Sequence, residues 1–514
     1  MTLAIHNTLT GGVEPLSPLC PGEVGIYVCG VTVYDRCHVG HARSLVFFDM
    51  VVRYLRLCGY RVRFVRNITD IDDKIIRRAQ EEGIKADALA ERYIASFARD
   101  VEALGCVAPD VEPRATAHIA EMLDLIAALE ARGLAYRAGG DVYFAVGEFS
   151  TYGKLSKRRL DEMIAGARVE VDERKRAPID FVLWKAAKPG EPFWESPYGP
   201  GRPGWHLECS AMSTKYLGQP FDVHGGGEDL IFPHHENEIA QSEGASGKAF
   251  VGHWLHHGFV RIDDEKMSKS IGNILAIEQI LERAPAEALR LFLVSAHYRS
   301  PLDFSDQALG DATRACARLH ETVARLEEAL GAGGGPPVVS VGGRPGGTPV
   351  PAKETLKVGG EPSAEVEGHS EASYATAPLP ESVRGFRDQF FAAMDDDLNS
   401  ARALGVLFEE IREVNRLLDA GERTVLAAHH RNLARLAGVL GILRQPAEAY
   451  VESEKGRHLA LAGVDVAEIE RLIGERAAAR QARDFRRADE IRAQLLARGI
   501  ALKDGAEGTT WSAL

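Results

Sequence analysis

Cysteine is scarce in this chain of 514 residues: seven, an odd number scattered from Cys20 to Cys316. That excludes a disulfide-stapled secreted fold. No apolar run approaches the roughly 20 residues a membrane helix needs. The first 19 residues lack the basic-then-apolar order of a secretory leader. A cytoplasmic protein that makes no membrane contact is therefore expected. No Cys-x-x-Cys pair announces a zinc module, and no segment repeats itself. Positive charge is also short, with 61 Lys and Arg against 74 Asp and Glu, a net charge of −13. This does not exclude nucleic acid, because counterion release needs local basic surface rather than a basic total. Residues 455–514 reverse the balance, with 11 basic residues against 9 acidic, and residues 471–498 hold eight arginines against four acids.

What is present is a long chain, 45% hydrophobic, enough for about three domains. Residues 25–30 read as a short buried strand ending in a glycine turn. Residues 41–57 place Leu45, Phe48, Val52 and Leu55 at helical spacing, and residues 61–68 alternate polar and apolar. Strand, helix and strand in this order make a βαβ unit and so a parallel sheet. Helical stretches follow over 74–104 and 115–132, then a strand over 141–146. The segment near 150–200 is polar and rich in Lys, Arg, Pro and Gly, as expected of an insertion. The sheet pattern resumes at 221–224 and 250–260, and 285–330 is helical. Residues 331–362 contain ten glycines and six prolines, a composition that cannot offset its ordering entropy and predicts a linker. Long amphipathic helices over 386–443 predict a bundle. A last unit, from about residue 464, has two helical stretches and a Gly/Thr/Trp-containing tail.

Two short motifs carry chemistry. Lys266-Met267-Ser268-Lys269-Ser270 follows an acidic turn, Asp263-Asp264-Glu265; its two ammonium groups suit polyphosphate oxygens. His38-Val39-Gly40-His41 falls between the first strand and the following helix, where unpaired N–H groups and the helix dipole attract phosphate. Gly40 lets a base or ribose approach the backbone, and two imidazoles three residues apart can donate to a phosphate. The turn at the end of a sheet strand is where α/β folds bind ligands.

Both motifs, in this order on one α/β chain, resemble the paired signatures of class I aminoacyl-tRNA synthetases. Longer strings narrow the resemblance: Tyr27 to Asp35, Asn67 to Lys74, Pro203 to Met212 and Gly225 to Glu238 all look like the cysteinyl-tRNA synthetase family. Val39 stands where the family motif has isoleucine. The likeness runs end to end except over 331–362. It implies a Rossmann-type parallel-sheet catalytic domain with an inserted subdomain, then an α-helical bundle and a small C-terminal domain. The expected boundaries are 1–112 and 203–310 for the two catalytic halves and 113–202 for the insertion. The bundle is expected over 311–330 and 380–450, a flexible insertion over 331–379, and an anticodon-recognition domain over 455–514.

The resemblance implies ATP-dependent activation of L-cysteine to cysteinyl-adenylate and transfer to the terminal ribose of tRNA(Cys), by a monomer. It assigns His38, His41, Lys266 and Lys269 to catalysis, and Thr32, Gly40 and Asp229 with His38, His41 and Lys269 to ATP. Cys29, Thr69, Trp205 and His224 fall to the substrate, and Cys29, Cys209, His234 and Glu238 to one Zn²⁺, with Mg²⁺ accompanying ATP. Read alone, Cys29 and Cys209 would be buried small hydrophobes, whereas His234 and Glu238, four apart, share one helical face. Thiolate, imidazole and carboxylate are all zinc ligands. Zinc bonding to a thiolate separates cysteine from serine where a hydrophobic pocket could not, so no editing domain is needed. His235 and Glu236 are equally open as partners of the ligands or as substrate contacts, and Trp205 as pocket wall or core residue. Asp70, Asp72 and Asp73 are read as helix caps and ion pairs rather than a magnesium cluster. Arg480, Arg483, Arg486 and Arg487 are candidates for tRNA phosphates and Trp511 for stacking. A cysteine ligase with a small amino-sugar acceptor would have no use for residues 386–514. A catalytically inactive RNA-binding paralogue would not need both intact motifs.

Overall fold

The computed structural model describes residues 2–159, 173–262, 265–266, 275–331, 379–462, 465–505 and 508–513. Its centre is a four-stranded parallel sheet in the order Val251–His257, Phe221–Gly227, Glu23–Thr32, Arg61–Thr69. The βαβ unit read from the sequence is its first half, with helix Val39–Leu57 as the crossover. The strands run far ahead of their neighbours in sequence: Ile26 pairs with Val223 and Val28 with Gly225. The order reverses between Glu23–Thr32 and Phe221–Gly227, and ligands bind outside the carboxyl ends of strands at such a point.

Burial explains the strand compositions. Parallel strands covered on both faces read as apolar runs, and Ile26, Tyr27, Val28, Phe64, Val65, Phe221 and Val223 are all buried. Helix Val39–Leu57 is enclosed on most sides, including its Arg43, Asp49 and Arg53. Asp49 explains how: its carboxylate takes Arg53 Nε at 2.8 Å, the Val107 N–H at 2.6 Å and the guanidinium of Arg290. Arg290 in turn donates to Leu440 and Leu104 carbonyls, joining the crossover helix to the bundle.

The segment read as an insertion carries a sheet of its own. Strands Ala135–Ala138, Asp141–Phe144, Phe181–Ala186 and Gly201–Pro203 form an antiparallel sheet. The expected helix 74–104 is two helices, Asp73–Glu82 and Ala86–Leu104, because Gly83 turns the chain at φ +67°. The expected strand 250–260 stops at His257, and Val260–Ile262 joins a separate small sheet with Glu265–Lys266 and Leu302–Phe304. Helices Asp306–Leu330, Glu381–Asp395, Ser400–Asp419, Leu426–Leu440 and Ala447–Ala462 make the bundle. At the C-terminal end two helices, Val466–Gln481 and Phe485–Ala497, precede a hairpin, Ile500–Gly505 with Gly508–Ala513. The Gly/Thr/Trp-containing tail is that hairpin. No helix among the described residues is long and apolar enough to cross a membrane.

Candidate active site

At the carboxyl end of Glu23–Thr32 the register shifts between Val28 and Val31, which turns Cys29 and Gly30 out of the regular ladder. Gly30 is required there: its N–H donates to Asn67 Oδ1 at 2.8 Å, and a Cβ would overlap the Asn67 carbonyl. Helix Trp205–Leu217 brings Cys209, and the turn Ile231–His235 running into helix Glu236–Ser246 brings His234 and Glu238. These four side chains converge. Cys29 Sγ is 3.6 Å from Cys209 Sγ and 3.4 Å from Glu238 Oε1, and His234 Nε2 is 3.0 Å from the same oxygen. All four ligand atoms lie within 4.8 Å of one another. Two thiols, an imidazole and a carboxylate at this spacing fit one tetrahedral zinc ion. Cys29, His224, His235 and Glu238 form a second overlapping set within the same distance. The first set offers two sulfurs, whereas the second offers one and its His224 engages the other carboxylate oxygen of Glu238.

The surroundings tune these groups. Burial alone would keep Glu238 neutral, but His224 and His234 hold its pKa down at about 2. Burial likewise disfavours a charged His234, and Glu238 with Cys209 outweighs it, raising the imidazole to about 10. For Cys209 burial opposes ionisation, yet the Cys29 and His234 hydrogen bonds bring the thiol down to about 6. Glu238 and Cys209 are thus held toward their anionic forms, whereas the His234 imidazolium and the Cys29 thiol, which burial pushes up, must each give up a proton to ligate a cation.

Behind the ligands stands a shell of histidines. His224 Nε2 meets Glu238 Oε2 at 2.8 Å, His206 Nδ1 meets His234 Nδ1 at 2.8 Å, and His235 bridges Cys29 Sγ at 3.3 Å to His256 Nε2 at 2.7 Å. His256 continues to Thr8 Oγ1 at 2.8 Å. His206 and His256 escaped the sequence reading, since a lone buried histidine leaves no periodic signal. Glu236 turns away from the ligands and accepts the N–H groups of Gly153, Leu155 and Ser156 at 2.9, 3.1 and 2.7 Å, fastening the insertion to the sheet domain.

Cys29 also faces a cavity of about 370 Å³ whose lining includes Thr32, His38, Gly40, His41, Trp205 and Asp229. One cleft thus joins the Cys–His–Glu cluster to the first motif. His38 is the N-cap of helix Val39–Leu57: its Nδ1 accepts from the Gly40 N–H at 3.2 Å, and His41 Nδ1 accepts from the His38 N–H at 3.1 Å. With both Nδ1 atoms accepting, the neutral rings carry their proton on Nε2. The rings lie 3.8 Å apart. Trp205 is 37% exposed, with its indole 4.3 Å from the His234 ring, so it walls the cleft rather than filling the core. Arg43, one turn along, donates to the Phe259, Tyr298 and Ser300 carbonyls and braces the segment that leads to Lys266. An arginine within a helix reads as solvated from sequence, which hid it.

Other assigned residues sit elsewhere. Thr69 is buried with its Oγ1 donating to Glu208 Oε2 at 2.9 Å, and His224 is buried behind Glu238; neither lines the cleft. Lys266 ends the two-residue strand after Ile262, and residues 267–270, Lys269 among them, lie outside the described residues. Asp72 caps helix Asp73–Glu82, Asp70 accepts from Thr116, and Asp73 pairs with Lys185 at 2.8 Å and with Arg202. In the C-terminal unit Arg476 and Arg480 are held by Asp504. Arg487 lies 3.5 Å from Glu475, and Trp511 Nε1 donates to Glu470 at 2.9 Å beneath Lys455. Arg486 is 91% exposed beside Glu490, and Arg483 holds a positive φ of 60° between the two helices.

Three family models match in order along the chain: the tRNA synthetases class I (C) catalytic domain over residues 15–314, a DALR domain over 389–444, and a cysteinyl-tRNA ligase anticodon binding domain over 466–511. The cysteine–tRNA ligase of Geobacter sulfurreducens is 53% identical over 513 residues, 99% of each chain. That of Geotalea uraniireducens is 52% identical over 518 residues, all of both chains. That of Desulfotalea psychrophila is 49% identical over 519 residues, 100% of this chain and 99% of its own. Among solved structures, Mycobacterium tuberculosis methionyl-tRNA synthetase in complex with methionyl-adenylate matches with a TM-score of 0.57 at 18% identity, covering 87% of this chain and 95% of that one. That likeness carries the fold alone. The unbroken similarity to cysteine–tRNA ligases, together with a thiol-bearing cluster opening on the first motif, decides the matter: this chain belongs to the cysteinyl-tRNA synthetase family of class I aminoacyl-tRNA ligases.

Proposed function

We propose that the cleft activates L-cysteine with ATP and passes it to tRNA(Cys), and that Cys29, Cys209, His234 and Glu238 hold one Zn²⁺ that selects the amino acid. The observation carrying this reading is that Cys29 belongs both to the four-ligand cluster and to the lining of the cleft that holds His38 and His41. A bound zinc ion supplies a soft Lewis acid that favours a cysteine thiolate over a serine hydroxyl. Trp205 closes the amino-acid end of the cleft. Thr32, Gly40 and Asp229 line its nucleotide end, where Gly40 keeps the backbone open to a base or ribose.

In the first step a carboxylate oxygen of cysteine attacks the α-phosphorus of ATP. The bond from that phosphorus to the bridging oxygen breaks, and pyrophosphate leaves with Mg²⁺. His38 and His41 donate through Nε2 to the α-phosphate region, and Lys266 and Lys269 neutralise the leaving group. Positioning and charge stabilisation supply the rate, so no protein nucleophile is needed. In the second step a terminal ribose hydroxyl of the tRNA attacks the adenylate carbonyl, and AMP departs with the carbonyl–phosphate oxygen. The basic C-terminal unit and the bundle grip the tRNA, with Arg483, Arg486 and Arg487 on phosphates, and the enzyme works as a cytoplasmic monomer. The domain boundaries read from the sequence are retained as part of this proposal.

The test measures bound zinc, cysteine-dependent ATP–pyrophosphate exchange, and transfer to tRNA against transfer to an amino-sugar. Cys209→Ser should lose zinc and cysteine affinity together. A variant that keeps full zinc content removes Cys209 from the ligand set, and transfer to the amine alone removes tRNA as acceptor.

A further inference from the structure

Six arginines are buried among the described residues: Arg43, Arg53, Arg66, Arg202, Arg290 and Arg476. Five of them pair with a carboxylate: Arg53 and Arg290 with Asp49, Arg66 with Glu112, Arg202 with Asp73, and Arg476 with Asp504. Arg43 is held instead by backbone carbonyls. Its Nη1 donates to Phe259 at 3.2 Å, and its Nη2 to His297 at 3.4 Å, to Tyr298 at 3.0 Å and to Ser300. Burial pulls the guanidinium down to about 10, so it stays charged at neutral pH. A buried cation without an anion is costly, and an apolar side chain of similar volume would serve stability better. The position therefore calls for a role beyond folding.

The carbonyls that Arg43 gathers lie where the Lys266 motif joins the fold. Phe259 lines the cleft and precedes strand Val260–Ile262. In that strand Arg261 pairs in register with Lys266, and Val260 with Leu302. The turn His297–Ser300 packs so close that a Cβ on Gly258 would lie 2.8 Å from the Arg299 carbonyl oxygen. Asp397 holds the same turn from the bundle side, accepting the Tyr298 hydroxyl at 2.6 Å and Arg299 Nε at 2.7 Å. Beyond residues 267–274 the chain returns to the His38 motif: the Val39 N–H donates to the Leu275 carbonyl at 3.1 Å, and the Ile277 N–H to Cys37 at 3.0 Å. Resting on the reading of both motifs as the ATP site, we propose that Arg43 is a positioning residue for adenylate formation. Its planar fork fixes the strand that leads to Lys266 against the helix that begins beside His38 and His41. A lysine ammonium, with its donors around one point, cannot copy that fork.

The experiment compares Arg43→Lys, which keeps the charge without the fork, with Arg43→Gln, which keeps neither. At saturating ATP and cysteine, pyrophosphate exchange should fall about 100-fold in Arg43→Gln, the scale of a misplacement of about 1 Å, and about tenfold in Arg43→Lys, which recovers part of the bonding. Cysteine affinity should match the parent in both. Single-turnover transfer to tRNA from the isolated cysteinyl-adenylate complex should also match, because the Lys266 motif serves the departing pyrophosphate and not the transfer. Arg43→Lys decides the matter even where Arg43→Gln does not fold. Two half-reactions that fall together, with a lowered melting temperature, would make Arg43 a support of the fold and overturn the proposal. Arg43→Lys exchanging like the parent overturns it as well, since charge without the fork would then suffice. A parent enzyme without exchange overturns the underlying reading and the proposal with it; a parent that exchanges beside a normal Arg43→Lys overturns the proposal alone.

Discussion

His224→Leu tests how the carboxylate of the ligand cluster is held. The imidazole and Glu238 are both fully buried, and Nε2 meets Oε2 at 2.8 Å while Oε1 faces Cys29 and His234. Hydrogen bonds to a charged buried group contribute about 1.5–3 kcal/mol. At about 1.4 kcal/mol per tenfold, the leucine variant should bind zinc roughly 10- to 150-fold more weakly, in line with the roughly 10- to 100-fold typical of groups that orient a metal ligand. Competition against a chromophoric chelator measures this directly. Cysteine KM in pyrophosphate exchange should rise at limiting zinc and recover at saturating zinc, because His224 acts through Glu238. His224→Gln, which still offers an N–H, should regain most of the affinity. Unchanged zinc affinity with a cysteine KM that stays raised at saturating zinc would refute the reasoning and place His224 on the substrate.

Three further expectations follow from the same structure. Asp100 is buried, and burial with the nearby Glu278 raises its pKa to about 6; because the folded value lies above the usual 3.8, its charge destabilises the fold as pH rises from 3.8 through 6. Asp100→Asn should therefore stabilise by up to about 3 kcal/mol at about pH 7.5 and do nothing below about pH 3.8, as thermal melts at the two pH values would show. Asp49→Asn removes the charge that pairs Arg53 and Arg290 in the interior and should cost about 3–5 kcal/mol, read from the urea midpoint; a midpoint that does not move removes the node from the account of stability. Lys269→Ala should depress adenylate formation with little change in cysteine affinity, measured by pre-steady-state exchange and by cysteine titration; a large loss of affinity would move Lys269 to the amino-acid end.

Much of the fold was legible because local chemistry dictated it. The period-two run at 61–68 and the apolar strand at 25–30 became adjacent parallel strands, and helical spacing in 386–443 became bundle helices. Misreadings fell where one residue overrides a pattern: Gly83 splits a helix, and the 250–260 run divides after His257. Charge counting found the arginine-rich end but not its partners. Asp504 holds both Arg476 and Arg480, a hairpin contact with no mark in composition.

Sequence by itself determined the chemistry available: two phosphate-seeking motifs in order, the residue types for a zinc site, and strings that resemble one family along nearly the whole chain. Those are properties of residues and their neighbours, carried by spacing along the chain. Tertiary structure alone decided which of them meet. Cys29 and Cys209 stand 180 residues apart yet their sulfurs lie 3.6 Å from each other, because the sheet seats the Phe221–Gly227 strand beside Glu23–Thr32. The same placement set the His224 imidazole against Glu238 and a second cavity beside His38 and His41. Strand order is a long-range choice made by burial of whole faces, and no local pattern encodes it.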